Sequence, residues 1–241
     1  MKSWQVIGLI TLLVLAIAGI RIYFIWRERN APDLATKPQV AERKLTADDV
    51  VLLRKLYIDD LKSAKALDGK TVWVQSGFTL DYYPYAAHHV EFTRPAGVLP
   101  SVEPLQIEDI ITEKAPANLA TRVPLGDKQV FAVFKEPSDS KEYATAIGYI
   151  QGSDSKYYCD DIFYYDDPHL MYKFWPADVW QTIDQHKAKA GMSELQTAMS
   201  LGMIQQSESS DIGNRTVDYD AGGKKWAVTF QNDKATTVKA E

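Results

Sequence analysis

The run WQVIGLITLLVLAIAGIRIYFIW, Trp4 to Trp26, constrains this chain more than any other stretch. About 20 apolar residues wound as a helix match the hydrocarbon thickness of a bilayer. The only charge in the run is Arg21, near its end, where a long side chain can reach the interface. Trp4, Tyr23 and Trp26 stand where interfacial aromatics belong. The expectation is a single-pass transmembrane helix over 1–26. The rival reading is a cleaved signal peptide, with Lys2, an apolar stretch and Ala16–Ala18 as the small-residue site. The residues after that site stay apolar, which favours an anchor. Arg21, Arg27 and Arg29 against Lys2 place the body in the cytoplasm by the positive-inside rule, whereas the C-terminal module described below points to the periplasm.

The rest of the chain divides by pattern. Residues 27–45 are polar and lack a hydrophobic period, so they read as a tether. Thr46 can cap a helix that carries Asp48 and Asp49 in its first turn and Val50, Leu53, Tyr57, Leu61 and Ala64 at helical spacing, with Gly69 as its stop. From Lys70 to about Tyr165, short β-branched and aromatic runs alternate with Gly, Pro, Ser and Asp clusters. The strand candidates are KTVWVQ, HHVEF, LQIEDIITEK, KQVFAVFK, YATAIGYIQG and KYYCDDIFYY. About six such strands suggest an antiparallel, barrel-like domain over 46–168, with an SH3-like barrel as one closure open to it.

Residues 169–241 change character. WPADVWQTIDQH reads as a helix with Pro176 in its first turn. Gly191 then breaks the chain, and Ser193 with Gln196 forms a capping box for a second helix. Gly202 supplies the left-handed stop. After a polar loop, RTVDYD, KWAVTF and ATTV alternate as strands around AGGK and NDK turns. The fold class expected overall is α+β: an N-terminal transmembrane helix, an antiparallel barrel-like domain and a C-terminal α-α-β-β-β module.

That last segment resembles the SmpA/OmlA module, the small-lipoprotein domain of the outer-membrane assembly machinery with a β-lactamase-inhibitor-like fold. The likeness is carried by Gly191, Met192, Ser193, Leu201, Gly202, Tyr219, Val228 and Phe230, over about residues 176 to 241. Such modules commonly carry Pro soon after the Leu-Gly, where this chain has Met203-Ile204, and the lipoprotein cysteine is replaced by the apolar run. The resemblance implies an envelope-facing scaffold or binding module.

Candidate chemistry is sparse. A net charge of −5 and pI near 5.5 argue against a nucleic-acid partner. YYCDDIFYYDDPH holds the densest set of potential ligands, and Cys159, Asp161, Asp167 and His169 form the alternative metal set. Against it, alternate residues of a strand face opposite ways, Asp166-Asp167-Pro168 is good turn chemistry, and no second cysteine is present. His88 and His89 are adjacent and would face opposite sides of a strand, while His186 falls at a helix end. No nucleophile elbow is present and no cofactor is implied. Tyr82, Tyr83 and Tyr85 surround Pro84 in an expected loop, as a contact surface or as a cap on the core. The function expected is therefore a non-enzymatic envelope protein, anchored in the inner membrane, that binds another envelope protein or a cell-wall component. The alternative is a metal-dependent enzyme or metal-binding protein built on Cys159 to His169.

Overall fold

The computed structural model describes residues 16–27, 46–75, 80–119, 121–136, 140–207 and 209–240, and the side chains of 203–206 are outside that description. The chain divides into two compact units, Met1–Lys44 and Leu45–Glu241.

In the first unit, residues 16–27 are helical (α1). Ile17, Ile20, Ile22, Phe24, Ile25 and Trp26 on this segment are all at least half exposed. Among the described residues no helix is long and apolar enough to cross a membrane, and Trp4 to Leu15, the first half of the expected span, lies outside them. So does nearly all of the tether.

The second unit is α+β, with every strand pairing antiparallel. Its nine-stranded sheet is built from β1 (Thr71–Val74), β2 (Leu80–Ala86), β3 (His89–Val90), β4 (Gly97–Leu99), β5 (Pro104–Glu113), β6 (Lys128–Lys135), β7 (Glu142–Gln151), β8 (Asp154–Tyr157) and β9 (Phe163–Tyr164). The order is β3-β2-β7-β6-β5-β1-β9, with β4 on β2 and β8 on β7. The centre, β5-β6-β7, is an unbroken run of apolar residues in β6, buried over Gln129–Phe134, as a strand covered on both faces requires. The corner after β4 folds back on β1: Val102 N–H donates to the Val74 carbonyl at 2.8 Å, and Val74 N–H to Glu103 at 3.1 Å.

Three expectations are corrected here. The helix from Thr46 to Gly69 reduces to a 3-10 turn at Asp48–Val50 and α2, Leu61–Lys65. Between them Leu56 and Tyr57 give their backbone N–H groups to the Asp160 carboxylate, both at 2.9 Å. Tyr57 adopts φ 52°, which no helix accommodates, and Asp60 with Ser63 then forms a capping box that starts α2 afresh. Second, Tyr82, Pro84 and Tyr85 are not in a loop: they lie on β2, paired with β7 and β3. Third, KYYCDDIFYY is no single strand, because α3 (Cys159–Ile162) interrupts it.

Downstream, α4 (Pro168–Met171) and α5 (Ala177–Asp184) carry an aromatic stack of Tyr172, Trp175 and Trp180 that packs with Trp73, Val102 and Tyr164 of the sheet region. Asp48 ties the start of the body to this stack by accepting from Trp175 Nε1 at 2.7 Å. The capping box of α6 (Glu194–Leu201) is present as the sequence predicts, with Ser193 accepting from Gln196 N–H and Gln196 closing back on Ser193. Gly191 (φ 88°) and Gly202 (φ 81°) hold the positive-φ positions before and after that helix. The sheet behind it has four strands rather than three: β10 (Met203–Ser207), β11 (Thr216–Ala221), β12 (Lys224–Gln231) and β13 (Lys234–Ala240), in sequential order. The residues after Gly202, expected to be a polar loop, supply the first strand. Their polar composition suits an edge position, paired with β11 alone.

Candidate functional site

The sequence-predicted site residues are scattered. Tyr83 is buried with its ring tilted against Phe92, and Tyr82 packs edge-on against Phe134 and Tyr143. All three tyrosines therefore pack on the core, and Tyr85 is half-buried beside a surface cleft with Lys135 and Glu142. Met192, Tyr219 and Phe230 are core residues of the C-terminal module.

The alternative metal set does not converge, and among the described residues no group of three His, Cys, Asp or Glu is placed to hold an ion. Cys159 is buried in the sheet core, away from the other three residues of the set, and burial pushes its thiol up to about 12. Asp160 is spent on Leu56, Tyr57 and the Tyr165 hydroxyl. Asp161 is exposed on α3. Asp167 caps α4 and sits 3.0 Å from His169 Nδ1, while His169 Nε2 sits 3.1 Å from Asp184 Oδ1. Both ring nitrogens of His169 thus face carboxylates, and the ring stacks 4.1 Å from Trp180.

Two cavities meet where the nine-stranded sheet and the C-terminal module touch. On the sheet side the wall is the β4–β5 corner, Val98 to Glu103. On the module side it is His186 after α5, the end of α6, and the β11–β12 hairpin. The first cavity, about 160 Å³, is mostly apolar, with Val98, Leu99, Leu201, Ala221 and Trp226 among its walls. The second, about 450 Å³, is more polar than the first and holds Glu103, Asp167, His169 and Asp184 beside Trp73. Ser101 and His186 line both.

Each of these groups is placed by its local backbone. Val102 at φ 65° turns the corner that presents Ser101 and Glu103. His186 at φ 51° ends α5, with its N–H on the Ile183 carbonyl. Its Nδ1 lies 3.3 Å from the Ser200 carbonyl, which can only accept, so Nδ1 is the donor. Burial and the neighbouring Glu136 raise the Glu103 carboxyl above the usual range, against the opposing pull of His186. Lys224 lies 4.9 Å over the Trp226 ring.

The apolar cavity has one feature that packing does not explain. Ser101 Oγ and Trp226 Nε1 are buried and neither has a hydrogen-bond partner. An unmade bond at a buried donor costs about 1–3 kcal/mol. Both belong to residues that line the cavity, yet the two atoms themselves have essentially no accessible surface and are covered by the packing around it. Ser101 Oγ has no base hydrogen-bonded to it. The arrangement can hold a ligand by shape and hydrogen bonds.

No family model, curated protein or solved structure matches the chain.

Of the seam, the sequence singles out Asp167 and His169, as members of the alternative metal set. Ser101, Glu103 and Asp184 belong to no motif, Trp226 shows only as an alternating residue of the KWAVTF strand, and His186 only as a residue at a helix end. The Pro100-Ser101-Val102 corner carries no Gly or Asn to announce its positive φ, and its partners lie about a hundred residues downstream.

Proposed function

We propose that this is a membrane-tethered binding protein of the cell envelope and not an enzyme, and that it engages another envelope protein or a cell-wall component at the seam between its two sheets. The observation that carries this reading is the pair of adjoining cavities sharing Ser101 and His186. Binding sites are typically concave, largely apolar and supplied with a few placed polar groups.

The tether rests on the apolar run Trp4–Trp26, whose described part is a helix exposing apolar side chains on all sides. Such a helix is stable where its surroundings are apolar too. The periplasmic side, the inner membrane as the anchoring site, and the SmpA/OmlA-like character of 169–241 rest on the Gly-Met-Ser start, the capping box, the Leu-Gly stop and the strand meander. In the same reading the antiparallel nine-stranded sheet is a barrel-like domain.

The test is site-specific photo-crosslinking of the full chain in its native envelope, with a topology reporter at the C-terminus. Probes at Val98 and Lys224, on the two sides of the seam, are expected to capture a discrete product that a probe at Lys62 does not. Equal capture from all three positions, or a reporter on the cytoplasmic side, overturns the binding site or the compartment respectively.

A further inference from the structure

Building on the membrane-tethered reading, we propose that the body also docks on the lipid surface itself, through an apolar patch formed by residues 50–57 and 170–174.

Among the described residues of the body nine large apolar side chains are exposed, and six of them fall on these two segments: Val50, Leu52, Leu53, Tyr57, Leu170 and Phe174. Leu52 is 92% exposed, Tyr57 78% and Leu170 70%. Three contacts tie the segments together. Asp48 accepts from Trp175 Nε1 at 2.7 Å, Arg54 pairs with Asp166 at 3.6 Å, and Val51 packs on the cluster that holds Tyr172 and Trp175. Val51, Leu56 and Ile58 pack on the cores, while Leu52 and Tyr57 between them are exposed. A segment with water on its outer side carries polar residues there. This one is apolar on both sides. Single exposed apolar residues need no cover, but a concentration of them marks an interaction surface.

The place of the patch in the chain favours lipid as the cover. The apolar run Trp4–Trp26 is followed by the tether, 27–45, and the patch then starts at Val50, so no other apolar surface of the body is nearer the span along the chain. A span keeps each copy at the bilayer at any concentration, so a weak contact with lipid suffices, whereas a second copy must be met by diffusion. The composition fits an anionic lipid surface as well. Lys55 and Lys173 are exposed beside aliphatic residues and the rings of Tyr57 and Phe174, the mixture that interfacial surfaces use. Three flanking carboxylates are engaged within the protein: Asp48 by Trp175, Asp49 by Thr46 and Asp166 by Arg54.

The experiment reconstitutes the full chain in vesicles of phosphatidylethanolamine and phosphatidylglycerol. Leu52→Cys, Leu170→Cys, His89→Cys and Ile17→Cys each receive a nitrobenzoxadiazole label in the folded chain, where Cys159 is buried. His89, exposed on β3, is the control on the body, and Ile17 reports on the span. Lipids with a nitroxide at a shallow acyl position are expected to quench the labels at Leu52 and Leu170 about twofold more than the label at His89. Adding Tyr57→Glu and Leu170→Glu to the chain labelled at Leu52 brings its quenching down to the His89 level, with the urea midpoint reporting that the variant is folded. Equal quenching at Leu52, Leu170 and His89 overturns the docking, and so does quenching that survives the two glutamates. A Leu52 label shielded from aqueous iodide but not quenched by lipid overturns it too. That result assigns the patch to a second copy if dilution to one chain per vesicle restores iodide access, and to a segment of this chain if it does not. An Ile17 label untouched by a deep acyl nitroxide defeats the tethered reading itself; quenching of Ile17 alone defeats only the docking.

Discussion

The Glu194 carboxylate and the Arg215 guanidinium form a buried fork at the N-terminus of α6, with Nε and Nη2 of the arginine both on Oε1. The other oxygen accepts from Gly213 N–H at 2.7 Å, and Arg215 Nη1 holds the Ser209 carbonyl at 2.8 Å. One helix residue thereby fixes the loop that joins β10 to β11. The side chains are 12% and 6% exposed, so each charge depends on the other to remain in place. Removing one partner of such a pair costs about 3–5 kcal/mol, because the survivor is stranded. Arg215→Met is expected to destabilise by that order. Glu194→Leu with Arg215→Met should cost less than the sum of the single changes. Urea unfolding of the four proteins in a double-mutant cycle measures the difference, and strict additivity would refute the coupling.

Asp160 performs a similar task in the first sheet. Its two oxygens take the N–H groups of Leu56 and Tyr57 and the Tyr165 hydroxyl. That clasp holds residues 51–59 out of a helix. Asp160→Ala should cost about 2–3 kcal/mol, as three bonds to a charged acceptor are lost. Asp160→Asn should cost less, since one carbonyl oxygen still accepts. Hydrogen exchange gives the specific readout: the amides of Leu56 and Tyr57 are expected to lose protection in the alanine variant while those of β6 keep theirs.

The clasp also explains where the sequence was readable and where it was not. The spacing of Val50, Leu53, Tyr57, Leu61 and Ala64 is helical, and local propensity supports it. What overrides it is a carboxylate more than a hundred residues away, which no local window contains. The Tyr82–Tyr85 stretch fails for a related reason: Pro84 and the polar rings suggest a loop, but β7 supplies pairing from sixty residues on. By contrast the KQVFAVFK strand, the Ser193–Gln196 box and the Gly222-Gly223 and Asn232-Asp233 turns depend on neighbours within a few residues. They appear where the sequence places them. The rest of the seam was illegible because its walls meet only after both sheets have folded.

Tyr219 offers a test of opposite sign. Its ring is fully buried behind α6, yet its hydroxyl has no partner. The oxygen contributes a desolvation cost and no compensating bond. Tyr219→Phe keeps the ring and should be neutral to stabilising by about 1 kcal/mol. A loss of more than that in the urea midpoint would mean that the hydroxyl is bonded in solution.

Gly191 and Gly202 bracket α6 at φ 88° and 81°, and a Cβ at either would meet no atom within 4 Å. The cost of a side chain there is backbone strain alone, about 1–3 kcal/mol. Gly191→Val and Gly202→Val should each lower the melting temperature by several degrees. Gly148 differs: it lies in β7, and an added Cβ would collide with the Lys156 carbonyl oxygen of β8. Gly148→Ala should therefore loosen the β7–β8 hairpin, visible as lost amide protection at Lys156 and Tyr157. An unchanged melting temperature for both valine variants would remove the physical basis of the Gly-Met-Ser and Leu-Gly motif reading.

Stability at alkaline pH provides the last test. Burial first, then the charge of Asp160, moves the Cys159 thiol from its ordinary 9.0 to about 12 in the native protein. Between those values the unfolded chain has released the proton and the folded chain has kept it. The unfolded state therefore binds fewer protons, and stability falls as pH rises, by up to roughly 1.4 kcal/mol per unit. The contribution is fully present below pH 9 and is lost as pH climbs towards 12. Tyr165, Tyr172 and Tyr219 have phenols raised chiefly by burial and act in the same direction at higher pH. Cys159→Ala removes the thiol and leaves the tyrosines. Its urea midpoint should lie below that of the parent at pH 8, where the buried sulfur still packs, and the gap should narrow steadily to pH 10. The native thiol should also be inert to a disulfide reagent at pH 8 and react fully once urea unfolds the chain; prompt labelling of the folded protein would place Cys159 in contact with solvent and cancel the predicted slope.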